Sequence, residues 1–164
     1  MEQQILNKEY VIAYGRSYDS LSYEYGSDRM LDEDEEDGGK PFTGLAYELN
    51  ENQVLIYYGY YVDGFEEGDR VTFYENGIIE SYAFMRRGRA FGKSFEYFGN
   101  GTKRSETISE YGVVLYQKEW SENGKVIHEK KEPTKEDIET RNIYKNWYEE
   151  IMSKEREKGE GISK

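Results

Sequence analysis

The sequence predicts a mainly β fold, an antiparallel meander of about four hairpin units, each of about 24 residues, followed by a C-terminal α-helix. Three observations support this prediction. Glycines recur at a constant interval, Asn-Gly pairs separate alternating apolar stretches, and a helix-capping pattern follows Pro133. The chain has 164 residues, a length that suits one domain with an appended element.

The repeat is visible in the turn residues. Tyr74-Glu75-Asn76-Gly77 aligns with Phe98-Gly99-Asn100-Gly101 one unit later. The same offset relates Gly64, Gly88 and Gly112, and it relates Gly68 and Gly92, whereas Asn123-Gly124 arrives one position early. A fixed period of this length is typical of repeat architectures. We therefore predict repeated hairpin units across residues 42–131.

Each unit is expected to contain two short strands joined by a tight turn. An Asn-Gly pair favours a type I′ turn, because both central residues of that turn need a positive φ. The predicted type I′ turns are Asn76-Gly77, Asn100-Gly101 and Asn123-Gly124. A second reversal is expected at the glycines of Asp63-Gly64, Arg87-Gly88 and Tyr111-Gly112.

Strand alternation divides the apolar side chains between two faces of the sheet. The first face is predicted to form the core, with Leu45, Tyr47, Leu49, Val71, Phe73, Phe95, Tyr97 and Trp120. The second face is predicted to carry Tyr58, Tyr60, Tyr74, Tyr82, Phe84 and Phe98. Because so many aromatic residues would lie on the second face, we expect part of it to be covered.

The C-terminal segment can supply this cover. Thr134 and Asp137 have the spacing of a capping box, and Pro133 stops the preceding strand. We predict a helix from about Lys135 to Lys158 that docks on a face or an end of the sheet. Trp147 is expected to make that docking contact, with contact to a partner as the alternative. Residues 159–164 are expected to fray.

The residues before the repeats are less regular. Glu9 to Tyr14 and Leu21 to Tyr25 are predicted to form a leading hairpin. An acidic run follows, made of Asp32, Glu33, Asp34, Glu35, Glu36 and Asp37. Six like charges cannot all be buried, so this run is predicted to be a solvated loop. The predicted divisions of the chain are therefore 1–41, 42–131, 132–158 and 159–164.

The charge of the chain favours a basic partner. The 34 acidic and 22 basic residues give a formal net charge of −12, which repels nucleic acid and anionic membranes. Through Lys130 there are 25 acidic and 14 basic residues, so the negative field belongs to the β part. The sequence shows neither a signal peptide nor a membrane span, and we expect a soluble cytoplasmic protein.

The sequence predicts no catalytic, cofactor-binding or metal-binding residue. There is no cysteine, and the single histidine, His128, lies near the charged end of the last repeat strand. Calcium binding is an alternative role for the acidic run, although the run lacks the pattern of an EF-hand. Glycoside hydrolysis by a pair of carboxylates is a further alternative in so acidic a chain. The cluster of Arg86, Arg87 and Arg89 is expected to pair with acids such as Glu66, Glu67 and Glu110. Phosphate or lipid headgroup binding is the alternative for that cluster.

A family resemblance adds to these inferences. Lys40-Pro41-Phe42-Thr43-Gly44 opens units of the form Tyr-x-Asp-Gly-x-x-x-Gly and then Phe-Tyr-Glu-Asn-Gly, and Trp120-Ser121-Glu122-Asn123-Gly124 closes them. This arrangement resembles the bacterial MORN-like-repeat antitoxins known as YwqK-like, which overlap with immunity proteins of polymorphic and contact-dependent toxin systems. The likeness covers roughly Tyr23 to Lys131. It implies a non-catalytic protein that neutralises a cognate toxin domain, often a nuclease, by tight binding.

The expected contact residues are the acidic run and aromatic residues of the predicted second face. They are Asp32, Glu33, Asp34, Glu35, Glu36, Asp37, Tyr58, Tyr60, Tyr74, Tyr82 and Phe98. Acidic charge speeds the approach of a basic toxin, and tyrosine buries much area for little rotamer entropy. The alternative from another class is a non-catalytic scaffold or oligomerisation module, which would add a partner's strand to an exposed sheet edge.

Overall fold

The computed structural model describes residues 4–32, 36 and 38–160, and it is mainly β with a C-terminal helix, as predicted. The elements in chain order are α1 (Lys8–Tyr14), β1 (Arg16–Ser17), a 3-10 turn (Tyr18–Ser20), β2 (Ser22–Tyr23), β3 (Met30–Leu31), β4 (Gly44–Leu49), β5 (Leu55–Val62), β6 (Phe65–Phe73), β7 (Ile79–Arg86), β8 (Arg89–Tyr97), β9 (Lys103–Glu110), β10 (Val113–Trp120), β11 (Val126–Lys130) and α2 (Lys135–Glu160). Within these residues, nine strands form one sheet in the order β1-β4-β5-β6-β7-β8-β9-β10-β11, and β2 pairs with β3. Strands β4 to β11 form an antiparallel meander, while β1 joins β4 in parallel.

The tight turns differ in type from the predicted ones. At Asn76-Gly77 only the glycine has a positive φ, of 81°, and its amide donates to the Tyr74 carbonyl. This is the pattern of a type I turn followed by a glycine bulge. The Asn76 Oδ1 atom accepts from the Ile78 amide at 3.1 Å, which keeps the asparagine side chain engaged within the turn. The prediction of type I′ turns at the Asn-Gly pairs was therefore wrong.

Positive φ at both central residues occurs instead at the opposite end of the hairpins. Asp63-Gly64, Arg87-Gly88 and Tyr111-Gly112 all have this backbone conformation. Each pair directly joins two long strands, so these are the two-residue turns that match the twist of the sheet. The sheet thus has one end made of two-residue turns and one end made of bulged turns.

The bulged turns are tied to one another by side-chain hydrogen bonds. Asn76 Nδ2 donates to the Gly99 carbonyl at 2.9 Å, and Asn100 Nδ2 donates to Glu122 Oε1 at 3.1 Å. Asn50 Nδ2 donates to Glu75 Oε1 at 3.2 Å in the same way. The recurring asparagines therefore connect successive turns along this end of the sheet. The number of repeat units stays a prediction.

The first face carries the larger core cluster, but its membership differs from the prediction. Tyr58 pairs with Tyr47 on one side and Val71 on the other, and Tyr82 pairs with Val71 and Phe95. Cross-strand partners share a face. Tyr58 and Tyr82 therefore lie on the first face, where they are 1% and 6% exposed. The prediction that they lie on the second face was wrong. It assigned faces by odd or even residue number, whereas the turns pair odd-numbered residues with even-numbered ones, as in Tyr47 with Tyr58.

Helix α1 covers this first face. Val11 is fully buried and packs with Leu45, Tyr58 and Val71 in one cluster. The Leu6 amide donates to the Tyr58 hydroxyl at 3.0 Å, which fixes the segment before the helix to the sheet. The predicted strand over Glu9 to Tyr14 was therefore wrong. Asn7 caps this segment as a helix, since its Oδ1 accepts from the Tyr10 amide at 2.8 Å.

The second face is covered near β4 and β5 by the β2–β3 pair. Met30, Phe42, Ala46 and Tyr61 form a second buried cluster there. Strand β2 pairs with Met30–Leu31, not with residues 9–14, so the predicted leading hairpin does not form. The Met30 amide donates to the Gly64 carbonyl at 2.8 Å. A Cβ at Gly64 would lie 2.6 Å from the Met30 carbonyl oxygen, so this close approach requires glycine.

Helix α2 begins with the predicted capping box. The Asp137 amide donates to Thr134 Oγ1 at 3.1 Å, and the Thr134 amide donates to Asp137 Oδ2 at 2.6 Å. Arg141 Nη1 lies 2.6 Å from Glu110 Oε2, which holds the helix beside the two-residue turn that joins β9 to β10. Neither helix in the described part of the chain has the apolar length that a membrane crossing needs.

Candidate functional site

The predicted acidic contact run is only partly described by the structure. Glu33, Asp34, Glu35 and Asp37 lie outside the described residues. Glu36 is exposed. Asp32 forms an ion pair with Arg16, with 2.9 Å between Asp32 Oδ1 and Arg16 Nη2. Asp32 therefore has an internal partner, whereas Glu36 can face a partner protein.

The predicted aromatic contact residues do not form one surface. Tyr58 and Tyr82 belong to the core of the first face, and Tyr60 packs half-buried beside that core. Tyr74 is half-buried, and its hydroxyl donates to the Tyr97 carbonyl at 2.8 Å. Phe98 is half-buried near the guanidinium of Arg104. Because Tyr58 and Tyr82 are inaccessible, their predicted role as partner contacts was wrong.

A large open cavity lies on the second face and includes tyrosines that the sequence analysis missed. Its volume is about 750 Å³. It is bordered by Tyr18, Tyr23, Asp28, Glu48, Tyr57, Tyr61, Phe65, Glu66, Arg70, Arg87, Gly88, Arg89 and Trp147. These residues come from the N-terminal segment, from β4 to β6, from the β7–β8 turn and from α2. The cavity therefore exists only because the N-terminal segment and the C-terminal helix both flank the sheet.

Four tyrosine hydroxyls form a continuous hydrogen-bonded chain beside this cavity. The oxygen atoms of Tyr23 and Tyr18 are 2.5 Å apart, those of Tyr18 and Tyr61 3.2 Å apart, and those of Tyr61 and Tyr57 2.8 Å apart. The Tyr57 hydroxyl then donates to Glu66 Oε1 at 2.8 Å. Burial raises the pKa of Tyr57 and of Tyr61 above the ordinary tyrosine value, so both hydroxyls keep their protons at neutral pH.

Gly59 makes room for the end of this chain. The residue lies between Tyr57 and Tyr61 on the same strand, and a Cβ added to it would overlap the Tyr57 hydroxyl oxygen. The same Cβ would lie 3.7 Å from Glu66 Oε1. Glycine at this position therefore allows the Tyr57–Glu66 hydrogen bond to form. The sequence signal was the run Tyr57-Tyr58-Gly59-Tyr60-Tyr61, in which a shift of one residue exchanges the two faces.

The arginine cluster serves the packing of α2 against the sheet. Arg87 Nη1 lies 2.9 Å from Glu155 Oε1, and its guanidinium lies 4.3 Å from the centre of the Phe65 ring. The Arg89 guanidinium lies 4.2 Å from the centre of the Tyr144 ring and 5.6 Å from that of Trp147. Arg87 thus pairs with an acid as expected, but its side chain pairs with Glu155 of α2, while its amide donates to Glu67 Oε2 at 2.8 Å. The Arg89 side chain contacts aromatic rings and not the predicted acids. The signal was the helical spacing of Tyr144, Trp147 and Glu155.

Trp147 makes the predicted docking contact, and its contact with a partner stays a prediction. It contacts Arg89 as a docking residue, yet 45% of its surface remains exposed at the border of the cavity. Across the described residues, no group of three or more His, Cys, Asp or Glu side chains is placed to hold a metal ion. The chemistry that the cavity offers is therefore that of hydroxyls, carboxylates, guanidinium groups and aromatic faces.

The fold and the cavity define a class of protein, an antiparallel β-meander with a preformed, tyrosine-lined cavity between its sheet and its terminal segments. No protein-family model matches the chain. The chain is 37% identical over 114 residues to the protein named Immunity protein YwqK from Bacillus subtilis (strain 168), in a match that covers 70% of this chain and 74% of that protein. The chain belongs to the YwqK-like immunity protein family.

Proposed function

We propose that this protein is an immunity protein that binds a cognate toxin domain in the cytoplasm and neutralises it without catalysis. The observation that carries the proposal is its family membership, since the relative is named an immunity protein. The mechanism is occupation of the toxin surface by a rigid sheet, which requires no chemical step. Inhibition then depends on how slowly the complex dissociates.

We infer that the toxin domain is basic and that a nuclease is the best candidate. The net charge of −12 supports this inference, because opposite charge accelerates association. A nuclease must attract phosphates and therefore carries positive charge around its active site. The acidic part of the chain ends before α2, so the sheet and the N-terminal segment are the expected contact region.

Growth protection tests this proposal. The chain is co-expressed in a bacterial host with each toxin domain encoded by the genes that neighbour its own. We expect growth to be restored, and we expect no protection against an unrelated toxin domain of similar charge. Loss of growth together with absence of binding in a purified mixture would contradict the proposal. The unrelated domain is the control for charge attraction alone.

The acidic run can be tested in the same assay. Replacing Asp34, Glu35, Glu36 and Asp37 together with Asn and Gln removes four negative charges. We expect association with the toxin to slow and the thermal stability of the free protein to stay nearly unchanged, because the sequence predicts a solvated loop here and solvated charges contribute little to stability. An unchanged association rate would exclude this run from the contact region.

One observation favours the scaffold alternative. Strand β11 is the terminal strand of the sheet and pairs only with β10 among the described residues. Val126 and Ile127 on this strand are 43% and 63% exposed. An open edge of this kind can add a partner's strand. Sedimentation distinguishes the two functions, since assembly that grows with concentration and is abolished by Ile127→Lys would favour the scaffold.

A further inference from the structure

The protons of the tyrosine chain can be assigned by counting. Each tyrosine hydroxyl has one hydrogen to donate. Tyr57 gives its hydrogen to Glu66, so the hydrogen between Tyr57 and Tyr61 must come from Tyr61. The hydrogen between Tyr61 and Tyr18 must then come from Tyr18, and the last one from Tyr23. All four hydrogens therefore point along the chain toward Glu66, and only oxygen lone pairs remain available to a ligand.

The carboxylates of the cavity extend this acceptor character. Asp28 and Glu48 border the cavity and are exposed, and neither forms an ion pair within the part of the chain that the structure describes. Glu66 has a cationic neighbour, because its Oε1 lies 3.6 Å from Arg70 Nε. A ligand that enters the cavity therefore meets two carboxylates, Asp28 and Glu48, that have no ion-pair partner among the described residues.

Two of the three arginines that border the cavity are engaged by α2 and by aromatic rings. The third, Arg70, lies 3.6 Å from Glu66, and its buried Nε has no hydrogen-bond partner among the described residues. Arg87 is paired with Glu155 and lies over Phe65. Arg89 lies over Tyr144 and faces Trp147. These contacts use the guanidinium charges to hold α2 in place. An anionic ligand would have to compete with Glu155 for Arg87, with the rings of α2 for Arg89 and with Glu66 for Arg70, whereas a cationic ligand would leave these contacts intact.

The aromatic lining selects among cations. The rings of Tyr18, Tyr23 and Tyr57 border the cavity, beside Phe65 and Trp147, whose rings already contact Arg87 and Arg89. A guanidinium group is planar, stacks on aromatic faces and presents five N–H donors in a fixed geometry, whereas an ammonium group is a compact and strongly hydrated point charge. The combination of ring faces and oxygen acceptors therefore favours arginine over lysine.

We propose that this cavity receives an arginine side chain from the toxin domain, with the tyrosine hydroxyls and the Glu48 and Asp28 carboxylates as acceptors. The inference rests on the proposed function for the source of the arginine. The cavity itself can be tested without the toxin. Its volume of about 750 Å³ lies within the range of small-ligand sites, so a small guanidinium compound can enter it.

The first experiment uses n-butylguanidinium as the probe and n-butylurea as its neutral isostere. Binding is followed by the amide NMR shifts of residues 57–66. We expect n-butylguanidinium to bind at least tenfold more tightly than n-butylurea, with shifts at Tyr57 and Glu66. Equal affinities, or tighter binding of n-butylphosphonate than of n-butylguanidinium, would overturn the proposal.

Two variants and a matched control locate the probe. Glu48→Gln removes an exposed carboxylate of the cavity, and Tyr57→Phe breaks the hydroxyl chain. We expect each to weaken n-butylguanidinium binding at least fivefold. Glu80→Gln makes the same charge change at an exposed residue outside the cavity lining and should alter binding less than twofold. Equal effects of Glu48→Gln and Glu80→Gln would mean that net charge alone attracts the probe, which contradicts the proposal.

The second experiment uses the toxin domain. We expect Glu48→Gln to weaken toxin binding at least fivefold and Glu80→Gln to weaken it less than twofold. If the toxin binds equally well to wild type and Glu48→Gln, the arginine proposal is wrong and the immunity function stands. If the toxin does not bind at all, the immunity function is wrong, and the probe experiment alone decides whether the cavity is a guanidinium site.

Discussion

The carboxylate of Glu155, near the end of α2, lies 2.9 Å from the guanidinium of Arg87 in the β7–β8 turn. This contact joins the last turns of a 26-residue helix to the middle of the sheet. Arg89 adds contacts to Tyr144 and Trp147 from the same turn. One two-residue turn therefore positions the helix that borders the cavity.

We expect Glu155→Gln to lower the free energy of unfolding by about 0.5–1 kcal/mol, because it removes a partly exposed ion pair. Denaturant unfolding at low salt measures the change. The effect should shrink as salt rises, since exposed pairs are screened. Glu157→Gln is the matched control, because Glu157 is exposed and forms no ion pair in the described part of the chain. Equal effects of both variants would mean that Glu155 does not anchor the helix.

The bulged turns supply a second prediction. Gln53 has a positive φ of 60° and occupies the turn position that Gly77 occupies in the next unit. We expect Gln53→Gly to raise the free energy of unfolding by up to about 1 kcal/mol, because a non-glycine residue is strained in this region. Gly77→Ala should lower it by about 1 kcal/mol for the same reason.

Gly99→Ala is the control for these turn variants. Gly99 lies in the same kind of turn, its φ is outside the left-handed region, and a Cβ there meets no atom within 4 Å. We expect no loss of stability, because alanine reduces the freedom of the unfolded chain. Thermal unfolding compares the three variants. Equal losses for Gly77→Ala and Gly99→Ala would contradict the assigned turn geometry.

The capping box of α2 predicts a pH dependence. The Lys130 ammonium, together with the amide and hydroxyl of Thr134, holds the pKa of Asp137 at about 2, below its ordinary value of 3.8. A lowered pKa in the folded state stabilises the fold above the unfolded-state pKa. The stabilisation should therefore be lost as the pH falls from about 4 toward 2.

This dependence is measured by thermal unfolding at several pH values. Asp137→Asn should lower the melting temperature at pH 7 and reduce the fall in melting temperature between pH 4 and pH 2. Glu136→Gln replaces an exposed neighbour in the same helical turn, and the fall in melting temperature between pH 4 and pH 2 should persist in this variant. A pH profile that is identical for wild type and Asp137→Asn would contradict the assigned role of Lys130 and Thr134.

The adjacent residues Tyr57 and Tyr58 should respond differently to loss of the hydroxyl. Tyr58→Phe leaves the Leu6 amide without its acceptor and should lower the free energy of unfolding by about 1–3 kcal/mol without changing toxin affinity. Tyr57→Phe should weaken toxin binding with a smaller loss of stability, because the Tyr57 hydroxyl borders the cavity. Titration of the toxin domain and denaturant unfolding measure the two effects. The reverse pattern would place the contact on the first face.

Much of the architecture follows from local sequence patterns. The Asn-Gly pairs and the regularly spaced glycines predict strands and reversals, and Thr134 with Asp137 predicts the start of α2. The helix α1 was missed, because Glu9 to Tyr14 also fits a short strand and only the Asn7 cap distinguishes the two. The turn types were exchanged, because an Asn-Gly pair fits both a type I′ turn and a type I turn with a glycine bulge.

The site was harder to predict than the fold. A one-residue error in register exchanged Tyr57 and Tyr61 with Tyr58 and Tyr60, although the density of tyrosine in this strand was evident. Tyr18 and Tyr23 border the cavity because the N-terminal segment packs against the sheet, and no local sequence pattern indicates that packing. The contact of Arg87 with Glu155 is likewise set by how α2 docks, and sequence spacing between distant elements does not encode that contact.

Stopped-flow mixing with the toxin domain that this protein protects against tests whether it neutralises a basic toxin by charge-steered binding. The measurement compares association rates at about 10 mM and about 150 mM salt, between which the Debye length falls from about 30 Å to about 8 Å. We predict nanomolar or tighter affinity and an association rate that falls at least about tenfold as salt rises, while dissociation changes little. Absence of binding, or an association rate that does not change with salt, would contradict charge-steered binding of a toxin.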